Sequence, residues 1–510
     1  MDFKLTRENF TVQKTLSDTV TEQALELDYV LPDYCPEIFK VLSCRIYPSA
    51  AKRTQSGARL GYELTALVRV VYVSEDGGIS AVEQTLTYDK SVELSYAPKQ
   101  PAVYIEPTVE TKSCRVVNKR RIDVRGVIAV RVRVMCDEPQ QAVTAALGGG
   151  IQLRKTLVTY PSKRLFITKR VTVIDEVEII RSKPPVGVVI KTDVAINSAD
   201  KKVISGKLLT KGEAGVTVIY VPEGGGDVEK ISFDLPFSQV SDIEGLDERF
   251  DVYVDARAAS CAIRPVPKSD PAKIECELGI DISCLALRFE SARLADDVFS
   301  TECEADAERA DCLIECVPVQ VNETHRLKAT LTYSEGELRT VMYAGAEPLG
   351  AASVIKKPDG SVYAGGKAAL TVFAKNESAK PVCLESEVSF EHMLEAAVCG
   401  CGSTDLELNI GAVTYNLTSS NAIELTADVK IKGYVCEARP CSFISDVRLD
   451  ETKPVERDRD CSLKLYYAET GEQPWEIAKR CRASLSAILE ENEIGGEAVE
   501  SGCMLLIPIE

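Results

Sequence analysis

One unit of sequence occurs three times in the first 450 residues, and no other feature constrains the fold as strongly. The first copy reads Val68-Arg-Val-Val-Tyr72-Val-Ser-Glu-Asp-Gly-Gly and then Glu83-Gln-Thr-Leu-Thr-Tyr88. The second reads Val216-Thr-Val-Ile-Tyr220-Val-Pro-Glu-Gly-Gly-Gly and then Glu229-Lys-Ile-Ser-Phe233-Asp-Leu-Pro-Phe237. The third reads Ala369-Leu-Thr-Val-Phe373-Ala-Lys-Asn-Glu-Ser and then Glu385-Ser-Glu-Val-Ser-Phe390. Each is an alternating strand, a turn with Gly or Asn, and a second alternating strand, which is the pattern of a β-hairpin.

A second block follows in every copy, at Arg121-Ile-Asp-Val-Arg-Gly-Val-Ile-Ala-Val130, Lys273-Ile-Glu-Cys-Glu-Leu-Gly-Ile-Asp-Ile282 and Ala422-Ile-Glu-Leu-Thr-Ala-Asp-Val-Lys-Ile431. Its period of two puts the apolar set on one sheet face and the charges on the other. Upstream, Pro36-Glu-Ile-Phe-Lys-Val aligns with Pro184-Pro-Val-Gly-Val-Val, whereas the third copy has the weaker Glu337-Leu-Arg-Thr-Val-Met. Copies lie about 150 residues apart, long enough for each to own a core. The sequence therefore predicts a mainly β chain. Three repeated antiparallel β-sandwich or barrel-like domains are expected over 1–160, 161–295 and 296–447. Short helices are expected at 139–147 and 290–298.

From Arg448 to Asp460, nine of 13 residues are charged, which predicts a solvated linker over 448–462 that leaves the orientation of the C-terminal end free. The net charge of -18 argues against nucleic acid as a partner, since phosphate contacts need clustered cations. The basic run Asn118-Lys-Arg-Arg121, with Arg131 and Arg133, reads as a charged turn and a solvated strand face. No run of 18 apolar residues appears, so no membrane span is expected. The first ten residues carry no apolar h-region, so no export signal is expected.

The chain has 18 cysteines, but none forms a CxxC pair. The closest spacings are Cys312/Cys316, Cys399/Cys401 and Cys436/Cys441, and the expectation is free thiols, with oxidative cross-linking as the alternative. Its two histidines, His325 and His392, complete no zinc pattern; His325 is expected at the surface. There is no Walker loop, GxSxG or HExxH, and Gly148-Gly-Gly and Gly224-Gly-Gly read as turns. Catalytic residues, metal and cofactor are all expected to be none.

The last 45 residues carry a different pattern. A strand from Lys464 leads to Pro474-Trp-Glu-Ile-Ala-Lys-Arg, then to Leu485-Ser-Ala-Ile-Leu-Glu-Glu-Asn492, and closes on Leu505-Leu-Ile-Pro508. Proline suits the first helical position, so a helix should begin at Pro474. Trp475, Ile477, Ala478, Leu485, Ile488 and Leu489 have helical spacing and should form a small core, closed by Ile507 and Pro508.

This segment, 463–510, resembles a LysM domain, a βααβ module that binds N-acetylglucosamine polymers. The resemblance implies a binding groove between two loops. Here those are Thr470, Gly471, Glu472, Gln473 and Pro474, and Asn492, Glu493, Ile494, Gly495 and Gly496. The family's usual Gly-Asp-Thr is replaced by Gly471-Glu472-Gln473, and 463–510 carries four basic and nine acidic residues. Both departures favour a protein ligand over a glycan, with peptidoglycan kept as the alternative. The triplicated β units ahead of it, with Leu31-Pro-Asp-Tyr-Cys-Pro-Glu-Ile-Phe-Lys-Val and Leu235-Pro-Phe-Ser, resemble the SPOCS-domain spore-coat morphogenetic proteins of clostridia, the SipL type. That resemblance implies a non-enzymatic scaffold in the mother-cell cytoplasm. The scaffold would dock on the forespore surface by binding the coat's basal-layer morphogenetic ATPase through its LysM end.

Overall fold

The alternation read from the repeated block becomes the central strand of one sheet in each copy. Ile122, Val124, Ile128, Val130 and Val132 are buried in the first, Ile274, Leu278, Ile280 and Ile282 in the second, and Ile423, Leu425, Val429 and Ile431 in the third. The computed structural model describes residues 3–350, 352–395, 404–456, 462–495 and 498–508, and it is mainly β.

The first unit runs β1 (Lys4–Val30), β2 (Ile38–Ser56), β3 (Arg59–Ser74), β4 (Ile79–Glu93), β5 (Ala102–Asn118) and β6 (Arg121–Leu147). Its strands form two antiparallel sheets, β1-β6-β5 and β2-β3-β4, whose apolar faces share one core that includes Leu25, Leu64, Tyr72, Ile105 and Val130. The second unit repeats this order with β7 (Ile151–Glu178), β8 (Val186–Ile204), β9 (Lys207–Pro222), β10 (Glu229–Asp242), β11 (Asp251–Val266) and β12 (Lys273–Ser300), in sheets β11-β12-β7 and β10-β9-β8.

In the third unit three of the strands are broken. The ribbon that β1/β6 and β7/β12 form in single pieces appears here as β13 (Cys303–Glu315) with β21 (Ala438–Pro454), then β14 (Val319–Thr332) with β20 (Ala422–Val435). Pro318 lies at the gap, where a residue without an N–H interrupts a ladder. The counterpart of β2 is split into β15 (Leu338–Pro348) and β16 (Ser353–Lys356). Both pair with β17 (Val362–Asn376), which also pairs with β18 (Pro381–Met393), while β19 (Thr404–Ser419) lines β20. Among the described residues no sheet closes on itself, so the barrel alternative is corrected to open sheets.

Both segments expected to be helical are strand. Residues 139–147 end β6 opposite Lys4–Thr11, and 290–298 lie in β12 opposite Leu153–Tyr160. A waiting partner strand and burial of Ala142, Val143, Leu294 and Ala295 outweigh the helix propensity of their Ala, Gln and Arg. The boundaries expected at 160, 295 and 447 fall inside β7, β12 and β21; the tight turns lie at 148–150 and 301–302. The charged linker is likewise strand as far as Pro454, paired to β13; residues 457–461 lie outside the described residues.

Side chains from all three units meet at the ribbon ends. Phe10, Tyr160, Leu294, Ile314 and Phe443 form one cluster there, with ring centroids of Phe10 5.3 Å from Tyr160 and 5.1 Å from Phe443. A buried ion network joins the units through their other sheets. Arg45 of β2 pairs with Glu347 of β15 and, at 3.2 Å, with Glu385 of β18. Lys191 of β8 lies 2.8 Å from Asp193 and 3.5 Å from Glu347, and the Tyr343 hydroxyl donates to Asp193 at 2.6 Å. The three units are thus wired into one body.

A repeated detail explains why the third copy departs in sequence. Tyr72 donates its hydroxyl to the Pro36 carbonyl at 3.1 Å, and Tyr220 does the same to Pro184 at 2.9 Å. At the third position the residue is Phe373 and the upstream proline is absent, so donor and acceptor site change together.

Candidate functional site

After the body come β22 (Leu463–Ala468), α1 (Pro474–Cys481), α2 (Leu485–Glu491) and β23 (Cys503–Pro508), with β22 antiparallel to β23. Helix α1 begins at Pro474, with Gln473 at its N-cap in extended geometry, and ends on Arg482 in the left-handed region. Ser484 caps α2 by accepting from the Ala487 N–H at 3.5 Å. Trp475, Ile477, Ala478, Ile488, Leu505 and Ile507 are buried together, with Leu485 packed against them; Leu489 is half-buried and stands outside that core.

Five of the ten residues in the two expected binding loops, Gly471, Glu472, Pro474, Asn492 and Ile494, are committed to holding the module together. Asn492 donates to the carbonyls of Ile488 at 2.8 Å and Leu506 at 2.7 Å and accepts from the Leu506 N–H at 2.7 Å, so its amide stitches the end of α2 to β23. Glu472 accepts from the Tyr466 hydroxyl at 2.7 Å, from Arg480 at 3.0 Å and from the Glu469 N–H at 3.2 Å. Hydrogen bonding to Tyr466 leads the causes that hold its carboxyl below the ordinary range. Gly471, at φ +87°, donates to Val499, and Val499 donates back to the Glu472 carbonyl. These bonds tie the first loop to Val499, the segment beyond the second loop. Pro474 is buried and Ile494 packs on the core. Thr470, Gln473 and Glu493 keep exposed side chains, Gly495 is exposed, and Gly496 lies outside the described residues.

Sequence reasoning missed two features of the module. The first is its outer sheet face. Leu463, Leu465 and Tyr467 alternate along β22, and Met504 stands opposite Tyr467; their exposures are 49%, 63%, 65% and 62%. The alternation was readable, but the row that faces the core is Lys464, Tyr466 and Ala468, no more apolar than the outer one, so pattern alone did not say that the more apolar face stays in solvent. The second feature is the module's seat on the body. Asp297 of β12, 5% exposed, accepts from Trp475 Nε1 at 2.8 Å and pairs with Lys479 at 2.7 Å and Arg309 at 3.1 Å. Phe299 lies in the module's own core, 5.0 Å from the Trp475 ring. Burial opposes ionisation of Asp297, but hydrogen bonds from Lys479 and Trp475 prevail and hold its carboxyl below the usual value. The expected free orientation of this end is corrected: α1 is anchored on β12.

A cleft of about 2790 Å³ opens where the three units face one another. Glu106, Asp255 and Glu407 occupy equivalent register positions, opposite Arg131, Ser283 and Lys432, and all three act on Arg257. Burial, with the Asp255 carboxylate beside it, raises the Glu407 carboxyl far above its usual value. Burial also pushes Asp405 up to about 6, against the pull of Arg257. Elsewhere on the cleft wall Arg69 pairs with Glu83 at 2.6 Å. Arg257 of β11 pairs with Asp405 of β19 and so joins the second unit to the third. The two histidines meet on the third unit: His325 stacks on Phe390 at 4.9 Å and lies 5.6 Å from His392, which bonds Glu323 at 3.0 Å. His325 is half-buried rather than at the surface, and burial lowers its pKa. Among the described residues no cluster of His, Cys, Asp or Glu is arranged to hold a metal ion.

Residues 185–264 match the family described as SipL, SPOCS domain. The match spans β8 to β11, and the corresponding strands recur in the same pairing in the first unit and, with the first of them split, in the third. A SPOCS domain suggests a sporulation-related protein. No curated protein and no solved structure matches the chain. No helix among the described residues is long and apolar enough to cross a membrane.

Proposed function

We propose that the chain is a non-enzymatic spore-coat scaffold in which three SPOCS-like β-sandwich units form a rigid body and a LysM-like module docks on a protein partner. By resemblance the partner is the coat's basal-layer morphogenetic ATPase, met in the mother-cell cytoplasm at the forespore surface. The outer face of β22 and β23 carries this reading: four large apolar side chains held half-exposed or more on a small module are what a protein interface covers. Two further observations support it. Three of the loop residues a glycan would need, Gly471, Glu472 and Asn492, are spent on internal hydrogen bonds, and seating on β12 fixes the direction in which the apolar face points. Peptidoglycan binding through Thr470, Gln473 and Glu493 is the second reading, supported by the side chains that the loops leave exposed.

The test is recruitment of the full chain in sporulating cells. Leu465→Glu with Tyr467→Glu should abolish recruitment while the purified variant keeps its far-UV spectrum. Retained localisation of that variant would sink docking through this face.

A further inference from the structure

Cys312 and Cys441 are free thiols directly opposite each other on the β13–β21 ladder. Directly opposed residues of an antiparallel pair have Cα atoms about 4.5–5.5 Å apart, inside the roughly 4.4–6.8 Å span that a disulfide bridges. Both side chains are half-buried at the edge of the cluster formed by Phe10, Tyr160 and Phe443, so a small oxidant can reach them. The Cys312 thiol hydrogen-bonds the Cys441 sulfur and brings the Cys441 pKa down to about 7, and burial adds to the raised value of Cys312. One sulfur is thus a ready nucleophile and the other a resolving thiol. Two other thiol pairs lie deeper. Cys261 and Cys276 are 3.9 Å apart but diagonal in register, with Cys276 fully buried, and Cys44 is buried beside Cys114.

Placement gives this pair a consequence. In the first two units the long ribbon is continuous, whereas in the third β13 and β21 are separated from β14 and β20 by the gap at 316–318. A covalent rung there holds the short ribbon closed.

We propose that Cys312 and Cys441 form an oxidisable dithiol whose disulfide staples β13 to β21 and closes the third unit into a covalent loop. With a peroxide as oxidant, the Cys441 thiolate attacks one oxygen, the O–O bond breaks, and the leaving hydroxide takes a proton to become water. The Cys312 thiol then attacks the sulfur of the sulfenic acid, expels its hydroxyl as a second water with the thiol proton, and forms the S–S bond. Two thiols lose two electrons and peroxide gains them.

The experiment treats the full-length protein with hydrogen peroxide, blocks remaining thiols with N-ethylmaleimide, and digests it without reduction using trypsin and a Glu-specific protease. Cleavage after Glu315 and Glu437 separates the pair from Cys316 and Cys436. The expected result is a linked peptide pair containing Cys312 and Cys441. Its formation should be accompanied by a rise in Tm that Cys312→Ser and Cys441→Ser each abolish. In Cys312→Ser, Cys441 should instead yield a dimedone-trappable sulfenic acid. Recovery of both residues as maleimide adducts at the level of untreated protein overturns the proposal, as does linkage of either one to a different cysteine.

Discussion

Replacing Asp297 by alanine removes a buried carboxylate on which the terminal module is seated. The side chain accepts from Trp475 Nε1, pairs with Lys479 and Arg309, and accepts from the Val298 N–H. Trp475 is 5% exposed, so its orphaned N–H costs about 1–3 kcal/mol. The side chains of Lys479 and Arg309 are 39% and 48% exposed and can turn to water, so their share is discounted to about 1 kcal/mol at most. The docked state should therefore lose roughly 1–4 kcal/mol, a shift of about fivefold or more toward the undocked module. Trp475 is the sole tryptophan of the chain, so its fluorescence reports the seat directly. Asp297→Ala should red-shift the emission and open the ring to iodide quenching while the far-UV β spectrum is unchanged. Phe299→Ala should move the readout the same way. Unchanged emission and quenching in folded Asp297→Ala would refute the anchoring. The Asp297 carboxyl is held low, so its contribution is intact at neutral pH and is lost only as pH falls through its folded value, beneath the ordinary 3.8.

Three more outcomes follow from the body. Arg45→Leu removes the guanidinium that Glu347 and Glu385 share, leaving Glu347 to Lys191 and Glu385 to Lys112, and should cost about 1–3 kcal/mol in urea unfolding. Tyr72→Phe and Tyr220→Phe should each cost about 0.5–1.5 kcal/mol by the same measurement, with the two effects additive because the sites lie in different units. Asp405, pushed up to about 6, binds its proton more tightly folded than unfolded between that value and 3.8. Its ionised form therefore costs stability at neutral pH, on the order of 1–3 kcal/mol, and the cost is relieved as pH falls through 6. Asp405→Asn should flatten the change in urea midpoint between pH 7 and pH 5; an unaltered slope would contradict the assignment.

The repeated hairpins and the Ile122, Ile274 and Ile423 blocks were legible because one face of each strand packs on its own unit's core, where period two is a direct image of burial. The strand ends were not. Residues 139–147, 290–298 and 448–454 owe their strand state to partners more than 100 residues away, which no local window contains. Composition misled there: an Ala- and Gln-rich stretch read as helix and a charged one as linker, although a ribbon edge tolerates both. At the terminal module the two helices could be read from Pro474 and the apolar spacing. The role of Asn492 could not, because a loop asparagine looks the same whether its amide faces a ligand or closes on Leu506. Asp297 was invisible for a similar reason, lying 178 residues before the tryptophan it holds.

The most direct test is binding of the full chain to the coat's basal-layer morphogenetic ATPase and, in parallel, to insoluble peptidoglycan. It should compare the native protein, Leu465→Glu with Tyr467→Glu, and Thr470→Ala with Gln473→Ala and Glu493→Ala. Docking through the β22–β23 face predicts at least tenfold weaker ATPase binding for the first variant and little change for the second. The contradicting result is strong peptidoglycan binding lost in the loop variant, with ATPase binding indifferent to Leu465 and Tyr467.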